Sequence, residues 1–308
     1  MNPTQAKSFP IIAYICSENP VDIENVRYDL ITHINYAFAL PTPEGELTGV
    51  NDEALSLLVR RSHENGVKVG LAVGGWNDGD TSAFEALAAV PAKRGKLIHN
   101  LNEICDHHNL DGINIDWEYP KAESADAFAA IMKVLSHVLK KKGRLLSAAV
   151  IAMDDEHGRS IKPAVFDYVD FLNIMAYDWH YQDGRNHSPL EVAEASLDYW
   201  LGRGCPREKA VLGVSFYGRS PAVVYKELIK QDPKAADLDS LGPIQYNGLA
   251  TMRRKTELAF RKGGGIMFWE ISQDTSDNTS LLRAIHSQAL TLQAEASGSA
   301  SVSNPPEK

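Results

Sequence analysis

The stretch DGINIDWEYP, residues 111–120, alternates polar and apolar side chains over its central part. Asn114, Asp116 and Glu118 occupy one face, and two isoleucines and a tryptophan occupy the other. A period of two residues is typical of a β-strand. Because burying carboxyl and amide groups costs free energy unless they are paired, a strand with two acids and an amide on one face indicates a chemical site.

Seven further apolar, β-rich runs recur along the chain, with helical patterns between them. Together with the run at 110–118 they predict eight strands, and a helical pattern over residues 277–294 follows the last. Eight βα units predict a single (β/α)8 TIM barrel. A doubly wound sheet is the alternative, but its GxGxxG fingerprint is absent after the first strand. The seven other runs are residues 10–17, 33–40, 67–75, 145–152, 169–178, 210–218 and 264–272.

The predicted barrel domain occupies residues 10–294 of the 308-residue chain. Residues 1–9 are expected to form an amino-terminal extension. Residues 295–308 are small and polar and include two prolines. That composition is typical of a disordered tail or a truncated linker.

The composition restricts the classes of partner. A net charge of −9 and a pI near 5.6 argue against nucleic acid and anionic membranes as partners. No apolar run approaches the length of a membrane span, and no signal pattern opens the chain. We expect a monomer without nucleic-acid or membrane partners. The sequence is compatible with a cytoplasmic location and with secretion. In the second case the leader is absent from this chain or the protein is exported by a non-standard route.

Neither the cysteines nor the histidines indicate a cofactor. Cys16, Cys105 and Cys205 are widely spaced and form neither a disulfide framework nor a CxxC pair, so we expect reduced, mostly buried thiols. The ten histidines include no HExxH-type pair. No metal or other cofactor is expected.

Two acids stand at the end of the fourth predicted strand, where barrel enzymes carry out their chemistry. Neighbours on one face of a strand lie about 6–7 Å apart, so the side chains of Asp116 and Glu118 can approach one another. Two such acids perturb each other, and one tends to stay protonated. Glu118, nearer the rim, is the better candidate for a general acid, whereas Asp116 suits an orienting or charge-stabilising role. Asp111 and Trp117 have the opposite orientation and are predicted to serve the structure.

These motifs resemble those of the family 18 glycoside hydrolases, the chitinases and their relatives. DGINIDWEYP is similar to the family signature DGxDxDWEYP. AVGG at 72–75 resembles the strand-3 motif SxGG, and MAYD at 175–178 resembles the strand-6 motif MxYD. GVSFYGR at 213–219 and GGIMFWEISQD at 264–274 resemble the ends of strands 7 and 8.

The resemblance implies a retaining, substrate-assisted mechanism. Glu118 would protonate the glycosidic oxygen, and the carbonyl oxygen of the substrate's own N-acetyl group would attack the anomeric carbon. Asp116 would accept a hydrogen bond from the acetamido N–H and stabilise the oxazolinium ion. Tyr177 would position the acetamido carbonyl.

Other residues are expected to bind the sugar or to support the site. Asp178 would contact the sugar at the −1 subsite, Trp269 would form its apolar floor, and Tyr14 would lie beneath the acids of strand 4. Arg219 could bind substrate or pair with an acid. The remaining substrate-binding candidates near the strand ends are Met175, Trp76, Trp179 and Tyr217.

Two positions depart from the family pattern. Asn114 stands where the middle Asp of the signature is expected, and Ala72 stands where the SxGG motif has Ser. An amide has two N–H donors and one acceptor, so we expect Asn114 to donate to Asp116 as a protonated acid would. The amide cannot ionise, so both neighbouring carboxyls should ionise more easily.

The expected substrate is chitin or N-acetylglucosamine oligosaccharides. Some members of the family insert an α+β domain between strands 7 and 8, but only roughly 45 residues intervene here, and the last dozen are helical. This length predicts a shallow, open cleft, which favours endo-type cleavage. The alternatives are an endo-β-N-acetylglucosaminidase acting on peptidoglycan or N-glycans, and a chitin-binding lectin with little turnover.

Overall fold

Eight parallel strands form the centre of the fold. The computed structural model describes residues 9–16, 20–154, 156–180, 182 and 184–301. Each predicted apolar run coincides with one barrel strand, and the ends of each strand lie within a few residues of the ends of its run. The strands are β1 (Ile11–Ile15), β2 (His33–Pro41), β3 (Lys68–Gly75), β4 (Gly112–Trp117), β5 (Leu145–Ile151), β6 (Phe171–Met175), β7 (Ala210–Ser215) and β8 (Gly265–Trp269).

The sheet closes on itself. Its strand order is β1-β8-β7-β6-β5-β4-β3-β2, and β2 pairs in parallel with β1 to complete the circle. Helices surround it on the outside, so the predicted (β/α)8 TIM barrel is confirmed. The helices are α1 (Pro20–Glu24), α2 (Asp52–Glu64), α3 (Ser82–Ala88), α4 (Pro91–His108), α5 (Ala125–Lys140), α6 (His157–Ser160), α7 (Val165–Tyr168), α8 (Leu190–Gly202), α9 (Tyr225–Gln231), α10 (Leu249–Lys262) and α11 (Leu281–Ser301).

The alternation of side chains along each strand produces two apolar layers. One layer fills the barrel interior and includes Tyr14, Ala72 and Met175. The other fills the space between strands and helices, where Trp117 stacks on Phe84 with ring centroids 4.8 Å apart. Trp117 is therefore a core residue, as predicted.

Asp111 links two elements at the amino-terminal end of the barrel. Its carboxylate accepts hydrogen bonds from the backbone N–H of Val69 and from the ring of His63, both at 2.8 Å. The structural role that its orientation predicts is confirmed.

The segment between β7 and β8 is short, as its length predicts. Two antiparallel pairs of two-residue strands, 217–218 with 223–224 and 240–241 with 244–245, flank the short helix α9. The segment therefore includes no full α+β domain.

The carboxyl-terminal helix is longer than predicted. Helix α11 continues to Ser301, so the tail expected at 295–308 begins inside a helix, because small residues such as alanine and serine are compatible with helical backbone. The part of the tail beyond 301, and the extension at 1–8, lie outside the described residues. No helix within the described ranges combines the length and apolarity needed to cross a membrane.

Candidate active site

A cleft of about 850 Å³ opens at the carboxyl-terminal ends of the strands. This volume is suited to a ligand of several sugar-sized groups. The predicted catalytic and substrate-binding residues all line it. These are Tyr14, Trp76, Asp116, Glu118, Met175, Tyr177, Asp178, Trp179, Tyr217, Arg219 and Trp269.

Asp116 lies at the floor of the cleft with an unsatisfied acceptor. The residue is 3% exposed, and its Oδ1 atom is buried without a hydrogen-bond partner among the described residues. Burial and the neighbouring Glu118 raise the pKa of Asp116 well above its usual range. A buried oxygen without a partner costs free energy, so this atom is prepared to accept a donor from a ligand.

Glu118 lies half-buried at the end of β4, nearer the mouth of the cleft. Burial raises its pKa to about 7, and the negative charge of Asp178 adds to that effect, while a hydrogen bond with Tyr119 opposes it. A carboxyl that keeps its proton near neutral pH can act as a general acid.

Asn114 lies below the two acids and is fully buried. Its Oδ1 accepts from the Tyr14 hydroxyl and its Nδ2 donates to Ser147 Oγ, both at 2.9 Å. Asn173 Nδ2 in turn donates to the Tyr14 oxygen at 2.9 Å. The expectation that Asn114 donates to Asp116 is therefore wrong: the Nδ2 group donates to Ser147, its register partner on β5, and makes no hydrogen bond to Asp116.

Ala72 lies next to Asn114 across the β3–β4 ladder. The two positions that differ from the signature motifs therefore face each other on neighbouring strands. An alanine at position 72 offers no hydroxyl, so Asn114 takes its hydrogen bonds from β1 and β5 instead.

Tyr177 follows β6 and presents its ring to the cleft. Burial raises the pKa of its hydroxyl well above the usual range, with further contributions from Tyr217, Tyr14 and the two acids. The hydroxyl therefore remains a hydrogen-bond donor at any physiological pH.

Asp178 is the centre of a group of polar side chains. Arg219 Nε and Nη2 donate to its two oxygens at 2.6 Å, and the Tyr217 hydroxyl donates at 2.8 Å. The fully buried ring of His187 lies 3.1 Å from Oδ1. Burial alone would raise the pKa of Asp178, but these hydrogen bonds, that of Arg219 foremost, outweigh it and hold the pKa well below its usual range. Arg219 thus pairs with an acid while also lining the cleft.

Aromatic side chains form the apolar walls. Trp269 stacks on Phe38 with centroids 5.4 Å apart and lies tilted against Tyr14 at 5.7 Å. Trp76 stands at the rim, 57% exposed, and Trp179 also lines the cleft. Flat aromatic surfaces of this kind suit the apolar faces of sugar rings.

Several residues that line or support the cleft are not predicted from the sequence. Phe38 and Tyr119 lie near the ends of predicted strands, so their place in the sequence could have indicated that they line the cleft. Gln182 and Gln273 carry no pattern that distinguishes them from loop residues. His187 contacts Asp178 although it lies nine residues further along the chain, and this contact depends on the path of the loop. Among the described residues, no group of three His, Cys, Asp or Glu side chains could hold a metal ion.

Fold and site together define an α/β-barrel protein with a glycosidase-type cleft, in which two carboxyl groups lie at the end of one strand. The chain belongs to the family described as glycosyl hydrolases family 18, which matches residues 10–274.

Known proteins support this assignment. The chain is 32% identical over 234 residues to probable chitinase 2 and 28% identical over 226 residues to probable chitinase 10, both of Drosophila melanogaster. Each match covers 64% of this chain, but only 46% and 10% of the respective relative, so the chain spans less than half of their length. The crystal structure of the chitinase ChiB from the chitin utilization locus of Flavobacterium johnsoniae superposes with a TM-score of 0.85 at 28% identity, covering 93% of this chain and 96% of that one.

Proposed function

We propose that this protein hydrolyses β-1,4-linked N-acetylglucosamine polymers or oligomers with retention of the anomeric configuration. The observation that carries the proposal is the pair of acids at the end of β4. Asp116 has a buried oxygen without a partner among the described residues, and the pKa of Glu118 beside it is raised to about 7. An N-acetyl sugar offers an N–H donor for the first group and a glycosidic oxygen for the second.

The reaction would proceed in two steps. Glu118 donates its proton to the glycosidic oxygen while the acetamido carbonyl oxygen of the substrate attacks the anomeric carbon, so the leaving sugar departs with the proton. Asp116 accepts the acetamido N–H and stabilises the positive charge of the oxazolinium ion. The Glu118 carboxylate then takes a proton from water, whose oxygen attacks the anomeric carbon. This attack breaks the bond from that carbon to the acetamido oxygen, which opens the oxazolinium ring and restores the N-acetyl group.

The other cleft residues would position the sugar. Tyr177, which keeps its hydroxyl proton, donates to the acetamido carbonyl. Trp269 supplies the floor under the −1 sugar, and Asp178 contacts that sugar in addition to its protein partners. Trp76 and Trp179 extend the cleft by stacking on neighbouring sugars.

Asn114 would influence the two acids because its amide cannot ionise. It belongs to a chain of hydrogen bonds that runs from Asn173 through Tyr14 to Ser147 and leaves Asp116 out. Because no ionisable acid stands at position 114, Asp116 and Glu118 should ionise at lower pH than they would above a third carboxyl. Asp116 would then take its N–H donor from the substrate.

The open cleft favours endo-type cleavage of chitin or of soluble oligomers. An endo-β-N-acetylglucosaminidase acting on peptidoglycan or N-glycans would use the same N-acetyl chemistry. Product analysis on chitin oligomers, peptidoglycan and a high-mannose glycopeptide separates these two activities.

Hydrolysis of a fluorogenic chitotrioside tests the proposal. The wild-type protein should release the fluorophore, and Glu118→Gln should lower kcat by about 10²–10⁴-fold, since the amide keeps the shape but cannot transfer a proton. The variant should still bind chitin oligomers. A wild-type protein that binds the trioside without turning it over would instead be a chitin-binding lectin.

A further inference from the structure

A lysine is fully buried behind the active site. Lys255 on α10 is 0% exposed, and its ammonium group donates to Ser188 O at 2.6 Å, Ser188 Oγ at 2.7 Å and Asn247 Oδ1 at 2.6 Å. The three acceptors match the three N–H groups of an ammonium ion. All of them are neutral, so no carboxylate among these partners balances the charge. Burial lowers the pKa of Lys255 to about 7, which reflects the cost of placing the charge there.

The partners of Lys255 belong to separate parts of the chain. Ser188 lies at the end of the loop that follows β6, and Asn247 lies at the end of the insertion between β7 and β8. Lys255 therefore joins the loop and the insertion to α10. Both Ser188 and Asn247 are buried as well, at 0% and 1% exposure, so bulk solvent does not reach these acceptors in the folded protein.

Two short routes lead from Ser188 to the residues proposed to act on the substrate. The Ser188 hydroxyl donates to Ala176 O at 2.8 Å, and Ala176 directly precedes Tyr177. His187, which directly precedes Ser188, has its ring 3.1 Å from Asp178 Oδ1, and its carbonyl accepts the Trp179 N–H at 3.0 Å. The end of this loop therefore packs against its beginning, and Lys255 donates hydrogen bonds to Ser188, where the two parts meet.

We propose that Lys255 is a positioning residue for the reaction, which fixes the loop carrying Tyr177 and Asp178 through Ser188. This inference rests on the proposed function for its catalytic readout, but not for its structural one. Without the ammonium group, the Ser188 carbonyl and hydroxyl and the Asn247 amide oxygen lose their buried donor, and the loop moves to find others.

The test compares Lys255→Met with Lys209→Met in the full chain. Lys209 also donates to a backbone carbonyl, that of Phe166 at 2.7 Å, but it precedes β7 at the far end of the barrel. We expect Lys255→Met to lower kcat on chitotrioside by about 10–100-fold, as a small displacement of reacting groups does, with a smaller change in KM. Lys209→Met should keep the wild-type kcat.

Hydrogen exchange gives the structural readout. The amides of Asp178 and Trp179 should exchange faster in Lys255→Met, whereas those of β4 should not change. Ser188→Ala, which removes only the hydroxyl, should change both measurements in the same direction by a smaller amount and carries the test if Lys255→Met does not fold.

Wild-type kcat and exchange in these variants would overturn the inference, and so would equal acceleration of exchange in β4, which indicates general destabilisation. If the wild-type protein does not hydrolyse the trioside, the proposed function fails, while the exchange comparison still decides the role of Lys255.

Discussion

Glu118 must carry a proton to act as a general acid, and its surroundings raise its pKa to about 7. The protonated form is present below this pKa and is lost as the pH rises through it. The alkaline limb of kcat/KM for the free enzyme should therefore fall near pH 7. A pH–rate profile on chitotrioside measures this limb.

Asn114→Asp should move that limb to higher pH. A third carboxyl would stand fully buried below Asp116 and Glu118, and a like charge in the same group makes each further ionisation more costly. Adding Ala72→Ser restores a hydroxyl on the neighbouring strand and gives the new acid a hydrogen-bond partner. An unchanged profile in the double variant would refute the role assigned to Asn114.

At the scale of the elements, the junction of β3 and β4 sets the position of Asp116. Gly74 has a φ of +113°, and a Cβ atom there would lie 2.2 Å from the Asp116 carbonyl oxygen. That conformation and that approach are open to glycine alone. β3 can therefore lie close against the strand that carries both acids.

Gly74→Ala should destabilise the fold by at least about 2 kcal/mol and lower kcat, because β4 must shift at Asp116. Urea denaturation and chitotrioside kinetics check both effects. Gly95→Ala is the matched control, since Gly95 lies on α4 where a Cβ meets nothing within 4 Å. A Gly74→Ala protein with wild-type stability would show that the close approach is not required.

Periodicity predicted the strands, but it could not predict contacts between distant segments. The alternation around Asp116 correctly identified a strand whose acids, Asp116 and Glu118, line the cleft. The partner of Asn114 depends on the β4–β5 register and on Tyr14 from β1, which no local pattern encodes. Lys255 lies among other basic residues on α10, where a lysine is normally expected at the surface. Its burial depends on the loop and insertion that cover it.

At the scale of the whole molecule, the closed barrel brings residues from distant parts of the sequence to one mouth. β4 supplies the acids, the loop after β6 supplies Tyr177 and Asp178, and β8 supplies Trp269. Lys255 joins the insertion between β7 and β8 to the loop after β6. The walls of the cleft therefore come from segments that are far apart in the sequence and connected by buried hydrogen bonds.

In the proposed reaction, the substrate's own N-acetyl group serves as the nucleophile, with Glu118 as the acid. The most direct test follows the anomer first released, by NMR, from chitin oligomers and from glucan oligomers of equal length. We expect initial release of the β-anomer from the N-acetylated chains and no cleavage of the glucans. Release of the α-anomer, or comparable cleavage of the glucans, would contradict it.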